Sequence, residues 1–289
     1  QLEGTDVVDL SAMPMEEIRA QLRARYQPAI DSALSETGIH CARAEIAGVP
    51  CLILDPPGRV QGRVVLYGFG GGFTVGSPEE DLPISARLAV RIGSRIVAPA
   101  YRLAPEHPFP AALDDMVSVV ASLLQGRDRL AMIGESAGAT LVLATLHRLR
   151  RQGLATPACA ALMSPATDMG AIGHSGEIAC DPSLSPLRVA QVAKAYAPDG
   201  ELTDPEISPL FGPFDTSFPP VLLTTGTRDL FLSQSSRLAR VMRAAGAPVD
   251  LRVWEGMWHV FEFYDMPEAR ASLSEIADFV TARLTTTAT

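Results

Sequence analysis

Short apolar runs alternate with longer amphipathic stretches along most of the chain. Eight runs rich in Val, Ile and Leu are predicted to be strands, at residues 44–46, 51–54, 63–67, 95–99, 130–134, 160–164, 221–225 and 250–254. Their central positions are apolar on both faces of the strand. This pattern is typical of strands that helices cover from two sides, as in a largely parallel sheet.

Helical periodicity appears between these strands and after the last one. The predicted helices are residues 81–92, 110–124, 137–151, 233–245 and 267–284. Strand and helix in regular alternation favour parallel strands joined by right-handed crossovers. The sequence therefore predicts an α/β fold, with a mostly parallel eight-stranded sheet and helices on both faces.

Two segments depart from this alternation and are predicted to form a small helical cap. Residues 13–34 have the pattern of one or two amphipathic helices, and residues 172–220 form a long insert with a helical piece near 187–196. Loops of this length are usually functional, although a mobile linker is the alternative. The predicted division of the chain, as one functional unit, is residues 1–40 for the N-terminal cap helices, 41–171 and 220–289 for the catalytic core, and 172–219 for the cap insertion.

Composition narrows the classes of function. Hydrophobic residues make up 47% of the chain and charged residues 20%, which is typical of a folded globular domain and not of a disordered chain. The formal net charge is −9, so binding to the phosphate backbone of a nucleic acid is not expected. No apolar run reaches the roughly 18 residues that a membrane-spanning helix needs. Residues 1–9 show no signal-peptide pattern, which predicts a cytoplasmic location.

The four cysteines are sparse and predict no disulfide framework. Cys51 and Cys159 lie within apolar runs, where a buried thiol is the expected state. No cluster of cysteine and histidine with zinc-ligand spacing is present, so neither a metal nor an organic cofactor is expected.

A G-x-S-x-G motif stands between a predicted strand and a predicted helix, at residues 134–138. In that setting a sharp turn lifts the central serine, Ser136, above the sheet at a helix N-terminus. The alternative is an ordinary serine that caps the helix. The context favours Ser136 as a nucleophile.

A serine nucleophile needs a base and a carboxylate that orients the base. Among the histidines that follow Ser136, His259 lies just after the last predicted strand, whereas His174 lies in the insert. Asp229 follows the preceding strand, so it is the predicted acid. Because the carboxyl ends of parallel strands meet at one edge of a sheet, Ser136, Asp229 and His259 are expected to lie together.

Three consecutive glycines, Gly70 to Gly72, follow the predicted strand at residues 63–67. Their backbone amides, together with the amide of Ala137, suit an oxyanion hole. A plain turn is the alternative. A phosphate-binding loop is not indicated, because neither of the known glycine-rich phosphate motifs stands here with its strand and helix.

Longer motifs make the chain resemble the hormone-sensitive-lipase-like esterases, also called bacterial family IV, over nearly its whole length. The family's H-G-G-G-F block is similar to residues 69–73, its Y-R-L-A-P-E-H-P-F-P-A-A block matches residues 101–112, and its S-P-x-x-D block matches residues 164–168. The resemblance implies an α/β-hydrolase fold and a cofactor-free carboxylic ester hydrolase that favours short acyl chains. It also implies Gly71, Gly72 and Ala137 as the oxyanion hole.

One position departs from the family pattern. Phe69 stands where the family has a histidine, and phenylalanine cannot make that histidine's hydrogen bonds. We expect Phe69 to form an apolar wall of the substrate pocket and to shift substrate preference. Phe73 and Trp258 are predicted to line the same pocket. Three phenylalanines of the insert, Phe211, Phe214 and Phe218, are further candidates, with packing between cap and sheet as the alternative.

The predicted reaction is transfer of an acyl group from an ester to Ser136 and then to water. A lactonase, an amidase or a natural-product deacetylase would use the same triad, and the expected substrate is a small ester or lactone. A ligand-binding protein on a hydrolase scaffold is the alternative outside enzymes. The resemblance also leaves a homodimer possible, paired through the last strand.

Overall fold

The computed structural model describes residues 13–285, and an eight-stranded sheet lies at its centre. The strands are β1 His40–Ile46, β2 Val49–Asp55, β3 Arg63–Gly68, β4 Arg95–Pro99, β5 Arg129–Glu135, β6 Ala160–Met163, β7 Val221–Gly226 and β8 Val249–Trp254. Their spatial order is β1-β2-β4-β3-β5-β6-β7-β8. The sheet therefore extends outwards in both directions from β3 and β5.

The sheet is antiparallel only at the β1 end. There, β1 pairs with β2 and β2 with β4 in antiparallel register, whereas every later pairing is parallel. The register places Gly68 of β3 beside Gly134 of β5, and Gly226 of β7 beside Trp254 of β8. The prediction of a mostly parallel eight-stranded sheet is confirmed, and its carboxyl edge gathers the loops that carry the predicted site.

Helices cover both faces of the sheet. They are α1 Met15–Thr37, α2 Leu82–Ile92, α3 Ala111–Leu124, α4 Ser136–Arg151, α5 Ser175–Ile178, α6 Pro186–Tyr196, α7 Leu232–Ala244 and α8 Pro267–Thr285. On one face α2 packs against α8, and on the other α3 packs against α4. Both α4 and α7 contact the short segment at residues 209–211. The strands between these layers, β5, β6 and β7, are buried almost throughout. That burial explains their continuous apolar runs.

In the described part of the N-terminal segment, Met15–Thr37 form one helix, α1. The first twelve residues of the predicted cap helices, and with them the predicted absence of a signal peptide at residues 1–9, lie outside the described part of the chain. The described part of α1 ends at Gly38, which has a left-handed φ of 58°. Arg19 of α1 donates to the carbonyl oxygens of Thr74 and Ala104 and pairs with Glu106. The helix is therefore bound to the loops that follow β3 and β4.

The insert, residues 172–219, also contacts the loop after β3. Its main helix, α6, begins one residue before the predicted 187–196, because Ser185 caps it by accepting the amide of Arg188. Tyr196 at the other end of α6 stacks on Phe73, with ring centroids 3.7 Å apart. None of the described helices is long and apolar enough to cross a membrane.

Candidate active site

The predicted nucleophile lies at the junction of β5 and α4. Ser136 has a φ of 49°, a left-handed value that a non-glycine residue adopts only at a cost. The chain can turn this sharply because glycine stands at position 138, where a Cβ would lie 2.1 Å from the Gly68 carbonyl oxygen. Close approach of α4 to β3 therefore depends on Gly138.

The structure brings the three predicted triad residues together from three strand ends. Ser136 Oγ lies 2.9 Å from His259 Nε2, and His259 Nδ1 lies 3.2 Å from Asp229 Oδ1. Asp229 is completely buried, and the side chain of His259 is 10% exposed. The geometry allows a proton to pass from the serine hydroxyl to an imidazole that a carboxylate orients.

Asp229 is held by one donor from the end of β7 and one from its own loop. Thr225 Oγ1 donates to Asp229 Oδ2 at 2.7 Å, and the Phe231 amide donates to Oδ1 at 2.9 Å. The ring of Phe231 meets the His259 imidazole edge to face, with centroids 5.1 Å apart. These contacts fix both the carboxylate and the plane of the imidazole.

A further aspartate, Asp181, joins the acid and histidine loops, and sequence reasoning missed it. Its Oδ2 accepts the amides of His259 at 3.2 Å and Leu230 at 3.1 Å. It lies in the insert, in a stretch rich in Pro, Ser and Asp, where nothing in the sequence distinguishes it from a solvated loop residue. The insert thus supports the backbone on both sides of the His259–Asp229 contact.

The contact between His259 and Asp229 shifts the pKa values of both side chains. Burial alone would lower the pKa of His259, but the negative charge and hydrogen bond of Asp229 outweigh burial and raise it above the ordinary value. Burial would raise the pKa of Asp229, but His259 and the hydrogen bonds to the carboxylate hold it below the usual range. Asp229 is therefore ionised and suited to stabilise an imidazolium.

The glycine loop lies beside Ser136. Gly71 and Gly72 have φ values of +96° and +60°, and the Gly71 carbonyl accepts the amides of Thr74 and Val75. A Cβ at Gly71 would lie 2.2 Å from the Val75 carbonyl oxygen. The loop thus needs glycine there for its conformation and for the close approach of its own backbone.

A buried pair of carboxyl groups, Asp81 and Glu135, lies beneath this loop. Tyr67 donates from its hydroxyl to Asp81 Oδ2 at 2.8 Å, and a Cβ at Gly70 would lie 1.9 Å from Glu135 Oε1. Burial raises the pKa of Asp81 to about 7 and the pKa of Glu135 well above its ordinary value. Two adjacent buried carboxyls repel each other when both are ionised, so we infer that this pair holds a shared proton at neutral pH.

Phe69 anchors the start of the loop through its backbone and its ring. The ring stacks on Tyr101 with centroids 4.1 Å apart, and the Tyr101 hydroxyl donates to the Phe69 carbonyl oxygen at 2.6 Å. The side chain is only 2% exposed. A stack of two aromatic rings and one backbone hydrogen bond hold the segment that enters the glycine loop.

These elements enclose a cavity of about 330 Å³ that reaches Ser136 and His259. Phe69 and Phe73 line it, together with apolar residues of α6 that include Val189 and Val192. Gly71, Gly72 and Ala137 lie in the same wall. The cavity therefore brings the predicted nucleophile, base and oxyanion amides to one apolar space.

Phe211, Phe214 and Phe218 of the insert do not line this cavity, and Phe214 and Phe218 make packing contacts instead, which was the alternative for these residues. Phe214 and Phe218 pack around His147, with Phe214 4.9 Å and Phe218 5.4 Å from its ring centroid, and Phe211 is exposed. Trp258 was predicted to line the pocket, and this prediction is wrong. Its ring meets that of Tyr264 with centroids 5.4 Å apart, within a small cluster against α8.

Asp168, matched to the family's S-P-x-x-D block, is a structural residue. Its Oδ1 accepts the amides of Gly170 and Ala171, and its Oδ2 pairs with Arg237 at 2.7 Å. Within residues 13–285 no group of three or more His, Cys, Asp and Glu side chains is arranged to hold a metal ion.

Comparison with known proteins places this geometry among hydrolases. Residues 65–263 match the model of a family described by the alpha/beta hydrolase fold. An acetyl-hydrolase of Streptomyces hygroscopicus is 32% identical over 231 residues, which is 78% of this chain and 77% of the relative. An esterase of Acinetobacter venetianus is 33% identical over 76% of this chain and 75% of its own. The crystal structure of a hormone-sensitive lipase from a metagenome library superposes with a TM-score of 0.85 at 30% identity, covering 94% of this chain and 92% of that one.

Proposed function

The chain belongs to the alpha/beta hydrolase fold family, as a carboxylic ester hydrolase of the hormone-sensitive-lipase type, and on that premise we propose that it cleaves esters of short acyl chains with a Ser136–His259–Asp229 triad. One observation carries the proposal. A continuous hydrogen-bonded line runs from Ser136 through His259 to the ionised Asp229, and it opens into an apolar cavity.

Each triad residue has a role in this mechanism. His259 Nε2 accepts the Ser136 proton as Oγ attacks the ester carbonyl, and Asp229 stabilises the imidazolium that results. The imidazolium then gives its proton to the leaving alcohol. In the second half, His259 takes a proton from water as the water oxygen attacks the acyl carbonyl, and the imidazolium then returns that proton to Ser136 Oγ as the acid product leaves. Because the pKa of His259 is raised, turnover should increase with pH through that raised value.

The amides of Gly71, Gly72 and Ala137 are the proposed oxyanion hole. Two observations support this proposal. The three residues lie in the cavity wall beside Ser136, and Gly71 and Gly72 have the positive φ values that glycine adopts most readily. Ala137 lies in the first turn of α4, where backbone amides have no partner within the helix.

A short acyl chain is favoured by the size of the cavity. At about 330 Å³ it is near the lower end for small-molecule sites. The similarity to an acetyl-hydrolase supports an acetyl or comparable acyl group. We include in the proposal that α1 and the insert form a cap, since α6 supplies one cavity wall and α1 is bound to the loop after β3.

Hydrolysis of p-nitrophenyl esters from acetate to dodecanoate tests the proposal. We expect fast turnover of the acetate and butyrate esters that falls for longer chains. Ser136→Ala should lose at least roughly 10⁴-fold in kcat. Ser274→Ala, which changes an exposed serine on α8, is the matched control and should retain full turnover.

Labelling with an organophosphate separates an enzyme from a ligand-binding protein on the same scaffold. The reagent should modify Ser136 in the parent protein and leave Ser136→Ala unlabelled. Turnover retained by pure Ser136→Ala, or labelling at another serine, would contradict the assignment.

A further inference from the structure

The helix α6 spans the cavity between the two halves of the proposed site. Near its start, Ser183 Oγ lies 3.5 Å from the His259 carbonyl oxygen. Further along, Val192 packs on the glycine loop, since a Cβ at Gly72 would lie 2.9 Å from its side chain. Arg188 stands between these contacts, one helical turn before Val192, and residues four apart share one helix face. Arg188 accordingly lines the cavity.

Arg188 differs from the other charged residues of the cavity because its charge has no partner. It is half-buried, and within residues 13–285 its guanidinium makes neither an ion pair nor a hydrogen bond with the protein. Burial lowers the pKa of Arg188, with no nearby acid to offset it. Arginine nevertheless keeps its charge at neutral pH.

The acids of the cavity are, in contrast, all engaged elsewhere. Asp168 pairs with Arg237, and Glu80 lies 3.6 Å from Arg23 and accepts the hydroxyl of Ser77. The carboxyl pair beneath the glycine loop shares a proton. Among the described residues that line the cavity, Arg188 is thus the one lysine or arginine, and none of the acids there neutralises it.

A half-buried cation without a counter-ion is unfavourable in the empty protein and favourable once an anion binds. We propose that Arg188 binds a carboxylate of the substrate, so that the preferred substrate is a small ester that also carries a carboxylate. This inference rests on the proposed esterase function. Guanidinium binds carboxylate through two parallel hydrogen bonds, which also fixes the orientation of the substrate above Ser136.

The carboxylate could belong to the acyl part or to the alcohol part of the ester, and matched substrates distinguish the two. The acyl arm uses monoethyl esters of succinic, glutaric and adipic acids against ethyl esters of unbranched acids of equal length. The alcohol arm uses 3-acetoxypropionate and 4-acetoxybutyrate against butyl acetate. A pH-indicator assay follows proton release from all of them.

We expect kcat/KM to favour the charged ester of one arm over its neutral partner. In Arg188→Gln that preference should fall roughly tenfold to hundredfold, and Arg188→Lys should keep part of it, because lysine retains the charge and loses the two-pronged geometry. Arg91→Gln, which removes a charge on α2 outside the cavity, should retain the preference.

Two results would overturn the assignment of Arg188. One is a parent enzyme that prefers the neutral ester in both arms. The other is an equal loss on charged and neutral esters in Arg188→Gln, which would indicate a structural role only.

A binding measurement separates this inference from the esterase proposal. Calorimetry with Ser136→Ala and the free half-esters reports binding without turnover. Binding that disappears in the Ser136→Ala, Arg188→Gln double variant supports the carboxylate site even if hydrolysis fails. Absence of binding in Ser136→Ala rejects it even if neutral esters are hydrolysed.

Discussion

Two buried aspartates at the same edge of the sheet have pKa values that are shifted in opposite directions. Asp229 is fully buried, and Asp81 is 7% exposed. Asp229 accepts hydrogen bonds from Thr225 and Phe231 and faces His259, and its pKa is lowered. Asp81 faces another acid, and burial raises its pKa to about 7. Burial is therefore similar at the two aspartates, and the partners decide the charge.

The contrast extends to consecutive residues of the chain. Ser136 contacts His259, which is paired with the ionised Asp229, while Glu135 before it belongs to the proton-sharing pair beneath the glycine loop. Two consecutive residues thus face different environments. One environment stabilises the positive charge that develops on His259, and the other suppresses the ionisation of carboxyl groups. Experiments on either side can show which environment the reaction depends on.

Removing the charge of Asp229 should have the largest effect. In Asp229→Asn the imidazole loses its counter-charge and the acceptor that fixes its tautomer, so kcat for p-nitrophenyl butyrate should fall roughly 10³- to 10⁴-fold. The control is Asp250→Asn, an exposed aspartate on β8 paired with Arg252, which should keep its turnover. A fall in kcat of less than tenfold in Asp229→Asn would show that Asp229 is not the acid of the triad.

Displacing the glycine loop beside Ser136 should have an intermediate effect. In Gly71→Ala the new Cβ meets the Val75 carbonyl oxygen, so the loop must move, and kcat should fall about 10²- to 10³-fold. Gly48→Ala is matched, because Gly48 has a φ of +80° in the β1–β2 turn with open space around it. It should lose about 1 to 2 kcal/mol of stability and no turnover. Equal kinetic losses would mean that backbone strain, and not the oxyanion amides, causes the effect.

Replacing Glu135 by a neutral residue should have the smallest of the three effects, and the effect should be on the pH dependence of the free energy of unfolding. Because the folded pair binds a proton above pH 4.5 that the unfolded chain releases, the free energy of unfolding should fall as pH rises from about 4.5 towards 7 and beyond. The glutamine of Glu135→Gln can still donate a hydrogen bond to Asp81. Over this pH range, the free energy of unfolding of the variant should fall by about 1 to 2 kcal/mol less than that of the parent protein. Urea unfolding at several pH values measures the difference.

Glu45→Gln, on the exposed face of β1, is the control for this profile and should follow the parent protein. If Glu135→Gln shows the same pH dependence as the parent protein, the carboxyl pair does not share a proton as inferred.

The sequence was most informative where local pattern and position coincide. The buried strands β5, β6 and β7 were predicted to within one residue at each end, because helices on both faces demand continuous apolar runs. The exposed edge strand β1 is seven residues long and was predicted as three, since most of its side chains face solvent. The four-residue helix α5 was not predicted at all, because so short a segment shows no periodicity.

The site divides in the same way. Ser136, Asp229 and His259 could be predicted because chain order and strand ends bring them to one edge. The pairing of Asp81 with Glu135 and the free charge of Arg188 could not. Such contacts arise only when elements distant in the sequence pack together, and an aspartate or arginine in a loop or on a helix is usually solvated.

The distance in sequence between the residues at the site has a consequence for biosynthesis. Ser136 and His259 are 123 residues apart, and His259 follows β8, the last strand to leave the ribosome. Contacts between such distant segments form late in folding, because the intervening chain must first be ordered. A nascent chain therefore exposes its serine long before the base arrives. Under the proposed triad, Ser136 gains its base only once the chain has folded as far as His259, so incomplete chains are expected to be hydrolytically silent.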